Sequence, residues 1–72
     1  MKQTEKINRI ISLIGVLNSG FMMNFEDNLF IDELCDMYEM EDEDYYMNIE
    51  GNVFMNESKR LNDLLFKVMV FR

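Results

Sequence analysis

The middle of this 72-residue sequence carries a long run of negative charge with nothing to balance it. Between Phe21 and Asn52 there are eleven Asp or Glu residues and no Lys or Arg, while all seven basic residues lie nearer the two ends. A domain of this size is expected to be stable by only about 4–10 kcal/mol, so repulsion among these carboxylates is a substantial cost. We therefore expect the acidic residues to lie on the surface, opposite the buried face of whatever structure they belong to.

An amphipathic helix is predicted from Thr4 to Leu17. Thr4 is the predicted N-cap, and Asn-Ser-Gly at 18–20 ends the helix, with Asn18 or Gly20 left-handed. A basic start followed by an apolar stretch is also typical of a signal peptide, but the stretch is short and no cleavage-type residues follow, which favours an ordinary helix. The apolar residues, spaced by three and four as one helix face requires, are Ile7, Ile10, Ile11, Ile14 and Leu17.

A second helix is predicted from Phe25 or Asn28 to about Met40, capped by Asn24 or Asp27. Acidic residues that follow Met40 would lie at the negative end of the helix dipole, where they are unfavourable. We therefore expect the chain to leave the helix there and enter an acidic loop. The predicted buried face consists of Leu29 or Phe30, Leu34, Met37 and Tyr38, with Ile31 and Cys35 beside it.

The rest of the chain predicts a short β-hairpin followed by a third helix. Tyr45, Met47 and Ile49 alternate with polar or exposed positions, and Gly51-Asn52 is a hairpin-type turn pair. One of Tyr45 and Tyr46 should then face the core and the other the solvent. The last helix should begin at Asn56 or Ser58, and its apolar residues are Leu61, Leu64, Leu65, Val68 and Phe71.

The predicted fold class is therefore α+β and mostly helical. We expect one small acidic domain over residues 1–72, with three helices and a short β-hairpin between helices 2 and 3. The interior is expected to be completed by methionines, whose flexible side chains fill gaps in a core. The methionines concerned are Met22, Met23, Met37, Met40, Met47, Met55 and Met69.

Most of the chemistry that active sites use is missing from this sequence. There is no histidine, which excludes an imidazole base, the common nucleophile–histidine arrangements and the usual zinc sites. The only cysteine, Cys35, is expected to be a buried filler, because apolar and acidic surroundings raise the pKa of a thiol. A single cysteine also excludes an intrachain disulfide and favours a reducing, cytoplasmic setting. We expect no enzyme activity, no cofactor, no metal and no membrane span.

The densest part of the acidic run is the predicted partner-binding site. Residues 32–44 hold eight carboxylates, about one charge per 2.5 Å if helical, which is comparable to nucleic acid. Like charges at helical spacing cost free energy that a mixed soluble surface would avoid. Direct nucleic-acid binding is disfavoured because the charge has the wrong sign. The predicted site residues are Asp32, Glu33, Asp36, Glu39, Glu41, Asp42, Glu43, Asp44 and Tyr46.

The function favoured by this pattern is a small acidic module that docks on a basic, nucleic-acid-binding protein. Phage and mobile-element inhibitors of host enzymes, of the anti-CRISPR or anti-restriction type, work in this way by DNA mimicry. A sequence without Ala or Pro and rich in Asn, Ile, Met and Phe is what AT-rich coding DNA favours, which fits such an origin. The alternative is a structural or interaction subunit, either a homodimer or an antitoxin-like or immunity-like protein. Its apolar helix faces would bind the partner, and its acids would serve only solubility.

Overall fold

The structure is a computed structural model that describes residues 2–70, and it confirms the predicted α+β architecture. A turn of 3-10 helix precedes an antiparallel β-hairpin, and both lie between the second and third helices. The helices are α1 (Gln3–Asn18), α2 (Phe25–Met37) and α3 (Glu57–Val70), the 3-10 turn is Asp42–Tyr45, and the strands are β1 (Tyr46–Ile49) and β2 (Asn52–Met55).

The first and last helices form the central pair of the fold. Gln3 Nε2 donates a hydrogen bond of 2.6 Å to the carbonyl of Val68, so the start of α1 lies beside the end of α3. Because the two helices pack along their length, they run antiparallel. Their predicted apolar spacing is confirmed at the centre of the interface, where Ile10, Leu61 and Leu64 have no exposed surface, but the predicted Ile11 is 51% exposed. Phe71, the last predicted apolar residue of α3, lies outside the described residues.

Helix α2 packs against this pair through a face that partly matches the prediction, since Leu34 is buried and Phe30 and Tyr38 are half-buried against the core. Its buried residues are Ile31, Leu34 and Cys35, whereas Leu29 and Met37 are exposed. Apolar residues occur nearly all round this helix, so periodicity alone does not select the buried side. Met37 lies in the last turn of α2, and its side chain is 62% exposed although the following Tyr38 and Met40 pack against the core.

The helix ends agree with the sequence to within about one residue, except that α2 ends at Met37 instead of about Met40 and the predicted cap of α1 is absent. Helix α1 begins at Gln3, and Lys2 occupies the N-cap without a side-chain hydrogen bond, so the predicted Thr4 cap is wrong. Asn24 does cap α2, because its Oδ1 accepts a hydrogen bond of 2.8 Å from the Asp27 N–H. Gly20 ends α1 with a φ of 84°, the left-handed conformation in which glycine costs least.

The hairpin is present, but its turn is one residue earlier than predicted. The strands pair in a register that places Ile49 opposite Asn52, which leaves Glu50 and Gly51 as the two turn residues. Both have positive φ, at 52° and 84°, which is the requirement of a type I′ turn. The buried Tyr45 and the Asn56 N–H, which donates to the Tyr45 carbonyl, hold the strands in this register.

The prediction that the methionines fill the core is mostly wrong. Met23 and Met40 are buried and Met55 is half-buried, but Met22, Met37, Met47 and Met69 are exposed. A domain of this length has too little interior for all the apolar side chains of a sequence that is 49% hydrophobic. Within residues 2–70, none of the helices combines the length and apolar character that crossing a membrane requires.

Candidate partner-binding surface

A buried arginine lies beneath the acidic residues, where α2, the 3-10 turn and α3 meet. The Arg60 side chain is 3% exposed, and its Nη2 donates a hydrogen bond of 2.7 Å to Asp32 Oδ1. The same nitrogen lies 3.0 Å from Asp42 Oδ1, and Nη1 lies 3.5 Å from Glu57 Oε2. Asp32 belongs to α2, Asp42 to the 3-10 turn and Glu57 to α3. One guanidinium therefore joins the 3-10 turn to α2 and α3.

The surroundings of Arg60 keep it charged. Burial by itself lowers the pKa of the guanidinium, but the hydrogen bond to Asp32 and the neighbouring Cys35, Asp42 and Glu57 together raise it above its ordinary value. Two atoms of the cluster, Arg60 Nε and Glu57 Oε2, are buried without a hydrogen-bond partner among residues 2–70. The short contacts that hold the Arg60 side chain in place are therefore those with the carboxylates of Asp32 and Asp42.

Cys35 lies next to this arginine and is buried, as predicted from the sequence. Burial raises the pKa of its thiol, while the positive charge of Arg60 acts in the opposite direction without cancelling the effect. A buried thiol with a raised pKa is a poor nucleophile. The residue is therefore part of the packing beneath the acidic surface.

The carboxylates above Arg60 remain open to solvent. Asp32 and Asp42 bond to the guanidinium and still expose 56% and 50% of their side chains. All eight acids predicted for the site are exposed. The cation that holds the cluster together thus lies inside the protein, and the outward surface it supports is negative.

Not all of the predicted acids share one face. Asp32 and Asp36 are one helical turn apart and lie on the side of α2 that is nearer Arg60. Glu33 instead lines a shallow depression with Lys6 and Phe30, on the side of α2 that faces α1. Glu39 lines another depression, beside Lys67 of α3. We use the name acidic face for the exposed acids of residues 32–44 other than Glu33, which are Asp32, Asp36, Glu39, Glu41, Asp42, Glu43 and Asp44.

Glu39 has a backbone conformation that is unusual for glutamate. It follows α2 with a φ of 57°, the Glu39 N–H donates to the Asp36 carbonyl, and the Met40 N–H donates to the Cys35 carbonyl at 2.8 Å. This pair of hydrogen bonds is the Schellman motif, in which glycine usually occupies the left-handed position. The motif turns the chain back, so the 3-10 turn lies against Arg60 and Asp63 of α3.

The two tyrosines after the acids face opposite ways, as predicted. Tyr45 is 8% exposed, and its hydroxyl donates a hydrogen bond of 2.7 Å to Asp63 Oδ2. Burial, and then the hydrogen bond to the ionised Asp63, raise its pKa to about 12. Tyr46 is 52% exposed at the start of β1, directly beside the acidic face.

The amount of exposed apolar surface is the feature that sequence reasoning missed. The hairpin exposes side chains on both of its faces, which strict alternation on half-buried strands does not predict. The signal was present in Val53-Phe54-Met55, where three consecutive apolar residues must place side chains on both faces of one strand. The exposed apolar residues of the hairpin are Tyr46, Met47, Ile49, Val53 and Phe54, and those between α1 and α2 or at the start of α2 are Phe21, Met22 and Phe25.

Comparison of the chain with protein-family models, with curated proteins and with solved structures found no match. Its function is therefore inferred from the chemistry of this surface.

Proposed function

We propose that this chain is a cytoplasmic protein-binding module whose acidic face docks on the basic, phosphate-binding groove of a nucleic-acid enzyme. It would then act as an inhibitor of the anti-CRISPR or anti-restriction type, made by a phage or mobile element, with carboxylates in place of phosphates. The observation that carries this proposal is the position of Arg60, which is buried beneath exposed acids.

A surface whose only purpose is solubility would be built differently. Mixing exposed Lys among the acids removes their repulsion at little cost, and most soluble surfaces do so. Here the cation that contacts Asp32 and Asp42 is buried, although a buried ion pair is often no more stable than apolar packing of the same volume. The arrangement reduces repulsion from within and keeps the outward field negative, which is what a mimic of phosphates requires.

Two further features fit the same role. Asp32 and Asp42 bond to one nitrogen of Arg60, so their carboxylates lie side by side, as neighbouring phosphates do along a strand. Glu39 occupies a left-handed position where glycine would be more stable, which means that the chain bears a conformational cost to present a carboxylate there.

The second candidate function is a subunit that binds through an apolar helix face, either to a second copy or to another protein. The observation that favours it is the outer side of α3, where Phe66, Met69 and Val70 are each more than half exposed. Salt separates the two functions, because screening weakens charge-driven docking and leaves apolar docking intact or stronger.

The test is a pair of charge-matched triple variants used with the wild type. Asp36→Asn, Glu39→Gln and Glu43→Gln together remove three of the seven negative charges of the acidic face without touching the acids that bond to Arg60. Glu5→Gln, Glu26→Gln and Glu33→Gln together remove the same charge from exposed positions elsewhere. Each tagged protein is used to capture partners from a low-GC bacterial lysate at about 100 mM and about 500 mM salt.

The proposal expects a basic nucleic-acid enzyme to be captured at low salt by the wild type and by the second triple variant. The acidic-face variant should lose it, and added duplex DNA should displace it. Capture that survives high salt, or that both triple variants retain, would contradict docking through the acidic face. A salt-resistant partner lost on Phe66→Ser would support the second candidate instead.

A further inference from the structure

The hairpin has hydrogen-bonding groups that its own two strands do not use. Among residues 2–70 the sheet contains only β1 and β2, so the outer edge of each strand is unpaired. Proteins usually block an open edge with charge, proline or a covering element, because it offers a template for another strand. This sequence has no proline, and all the residues of both strands except Met55 are exposed.

The register identifies which groups point outward. Ile49 and Asn52 close a two-residue turn and form a hydrogen-bonded pair. Hydrogen-bonded and non-hydrogen-bonded pairs alternate along an antiparallel ladder, so Met47 and Phe54 form the next pair joined by backbone hydrogen bonds. The backbone N–H and C=O of Asn48, which lies between, point to the outer edge of β1. The hydrogen bond from the Asn56 N–H to the Tyr45 carbonyl continues this alternation. The backbone N–H and C=O of Tyr46 therefore point to the outer edge of β1, like those of Asn48.

The two edges differ in charge. At one end of β1 lies the acidic face, ending in Asp44, and at the other end lies Glu50 in the turn. Glu50 has a positive φ, where Asn or Gly is preferred in a turn of this type. Beyond the other end of β2 come Asn56, then Glu57, whose carboxylate lies 3.5 Å from Arg60, and the exposed, basic Lys59. The edge of β1 is thus bracketed by carboxylates, whereas the carboxylate beyond β2 is paired with Arg60.

We infer that the outer edge of β1 receives an extended, Lys- or Arg-bearing segment of the partner protein as a third strand. Main-chain hydrogen bonds form at Tyr46 and Asn48, and basic side chains of the segment meet Asp44 and Glu50. Its apolar side chains pack beside the exposed Met47 and Ile49. The inference rests on the proposed function, because it takes the partner to be basic, and it adds the structural form in which that partner is recognised.

A second copy of this chain fits the edge less well. Pairing two β1 edges, in either direction, would bring the carboxylates at the ends of one strand close to those of the other. Two chains that each carry a net charge of −7 also repel one another before contact. A basic strand removes both costs, and a third strand would stabilise a hairpin that is marginal with two.

The first test uses a fluorescein-labelled synthetic peptide in which Lys and Val alternate over ten residues, with binding followed by fluorescence anisotropy at about 100 mM salt. Asn48→Pro removes an outward N–H from β1, and Val53→Pro removes the equivalent N–H from β2, neither of which the ladder uses. The inference expects Asn48→Pro to weaken binding by at least about tenfold and Val53→Pro by less than about threefold. Equal losses for the two variants, or failure of the wild type to bind the peptide, would overturn it.

A second measurement leaves the protein unmutated, so that it does not depend on how well the proline variants fold. Amide hydrogen exchange of Asn48 should slow on addition of the peptide, while exchange at Val53 and Met55 should not change. The peptide could instead bind without changing Asn48 exchange, and the acidic-face triple variant could fail to bind it. That pair of results would overturn the inference and leave the proposed function standing. If exchange of Asn48 without peptide slowed as the protein concentration rose, the β1 edges of two copies would be pairing with each other. That result would overturn the assignment of this edge to a basic partner.

Discussion

Glu39 occupies, two residues after the last residue of α2, the same left-handed position that Gly20 occupies two residues after the last residue of α1. Their φ values are 57° and 84°. In both cases the residue's own N–H and the next N–H bond back to carbonyls of the last helical turn. Both helices therefore end in a Schellman motif. In α1 its left-handed position holds glycine, which adopts this conformation with the least strain, and in α2 it holds a glutamate.

Replacing Glu39 with glycine should stabilise the free protein. The change removes the strain of a side chain at positive φ, and it removes one like charge from the acidic face, so we expect a gain of about 1 kcal/mol. The measurement is the free energy of unfolding from urea denaturation. Gly20→Ala is the matched control, because a Cβ at Gly20 meets no atom within 4 Å and its cost is purely conformational. If Glu39→Gly were neutral or destabilising while Gly20→Ala destabilised, Glu39 would have to be making a stabilising contact.

Removing Arg60 should destabilise the protein strongly. Arg60→Met leaves Asp32, Asp42 and Glu57 beside one another without their cation, and we expect a loss of about 3 kcal/mol. Arg9→Met is the control, since Arg9 is more exposed, pairs with Asp27 and stacks on Phe30, and should cost about 1 kcal/mol or less. Urea denaturation of both variants measures the difference. Similar losses would show that burial gives Arg60 no special role.

The stability of the protein should fall at high pH because of Tyr45. Its pKa is raised from 10.0 to about 12 in the folded state, so the folded protein holds the phenolic proton more tightly than the unfolded chain does. The resulting stabilisation is fully present below pH 10 and is lost as the pH rises through 12. Tyrosinate absorbance near 295 nm should show one late-titrating tyrosine. Tyr45→Phe should remove that step and flatten the fall in melting temperature above pH 10, and an unchanged titration would contradict the assignment.

Salt should raise the melting temperature of the free protein. Screening among the exposed acids removes roughly 1 kcal/mol of repulsion, which for a domain of this size corresponds to a rise of about 4–8 °C. Differential scanning fluorimetry between about 50 mM and about 300 mM sodium chloride measures the rise. The acidic-face triple variant should start at a higher melting temperature and respond less. A flat or falling response of the wild type would mean that Arg60 and its neighbours already offset the repulsion.

The fold could be predicted wherever one side of an element was clearly apolar. The spacing of Ile10, Leu61 and Leu64 in α1 and α3 pointed to the central helix pair, and Asn24 marked the start of α2. The turn was predicted one residue late because Gly51 can occupy either of its two positions. The contacts that decide between them, from Tyr45 to Asp63 and from Asn56 to Tyr45, join distant parts of the chain.

The sequence predicted which residues are acidic in the candidate site, but not how they are arranged on the surface. The sequence located the acids and showed that the basic residues lie outside the acidic run. It could not show that Arg60 would be buried, because that burial requires Asp32, Asp42 and Glu57 to converge from three elements. Nor could it separate Glu33 from the others, since which side of α2 faces α1 depends on how the helices pack.

The pairing of α1 with α3 has a consequence for how the protein is made. The hydrogen bond from Gln3 to Val68 joins residues 65 positions apart, and the core residues of α1 find their partners on the last helix. During translation, α1 and α2 must wait with Ile10 and Leu13 uncovered until α3 leaves the ribosome. A chain interrupted before Leu61 would therefore be a substrate for chaperones and proteases, and folding should be all-or-none over the whole domain.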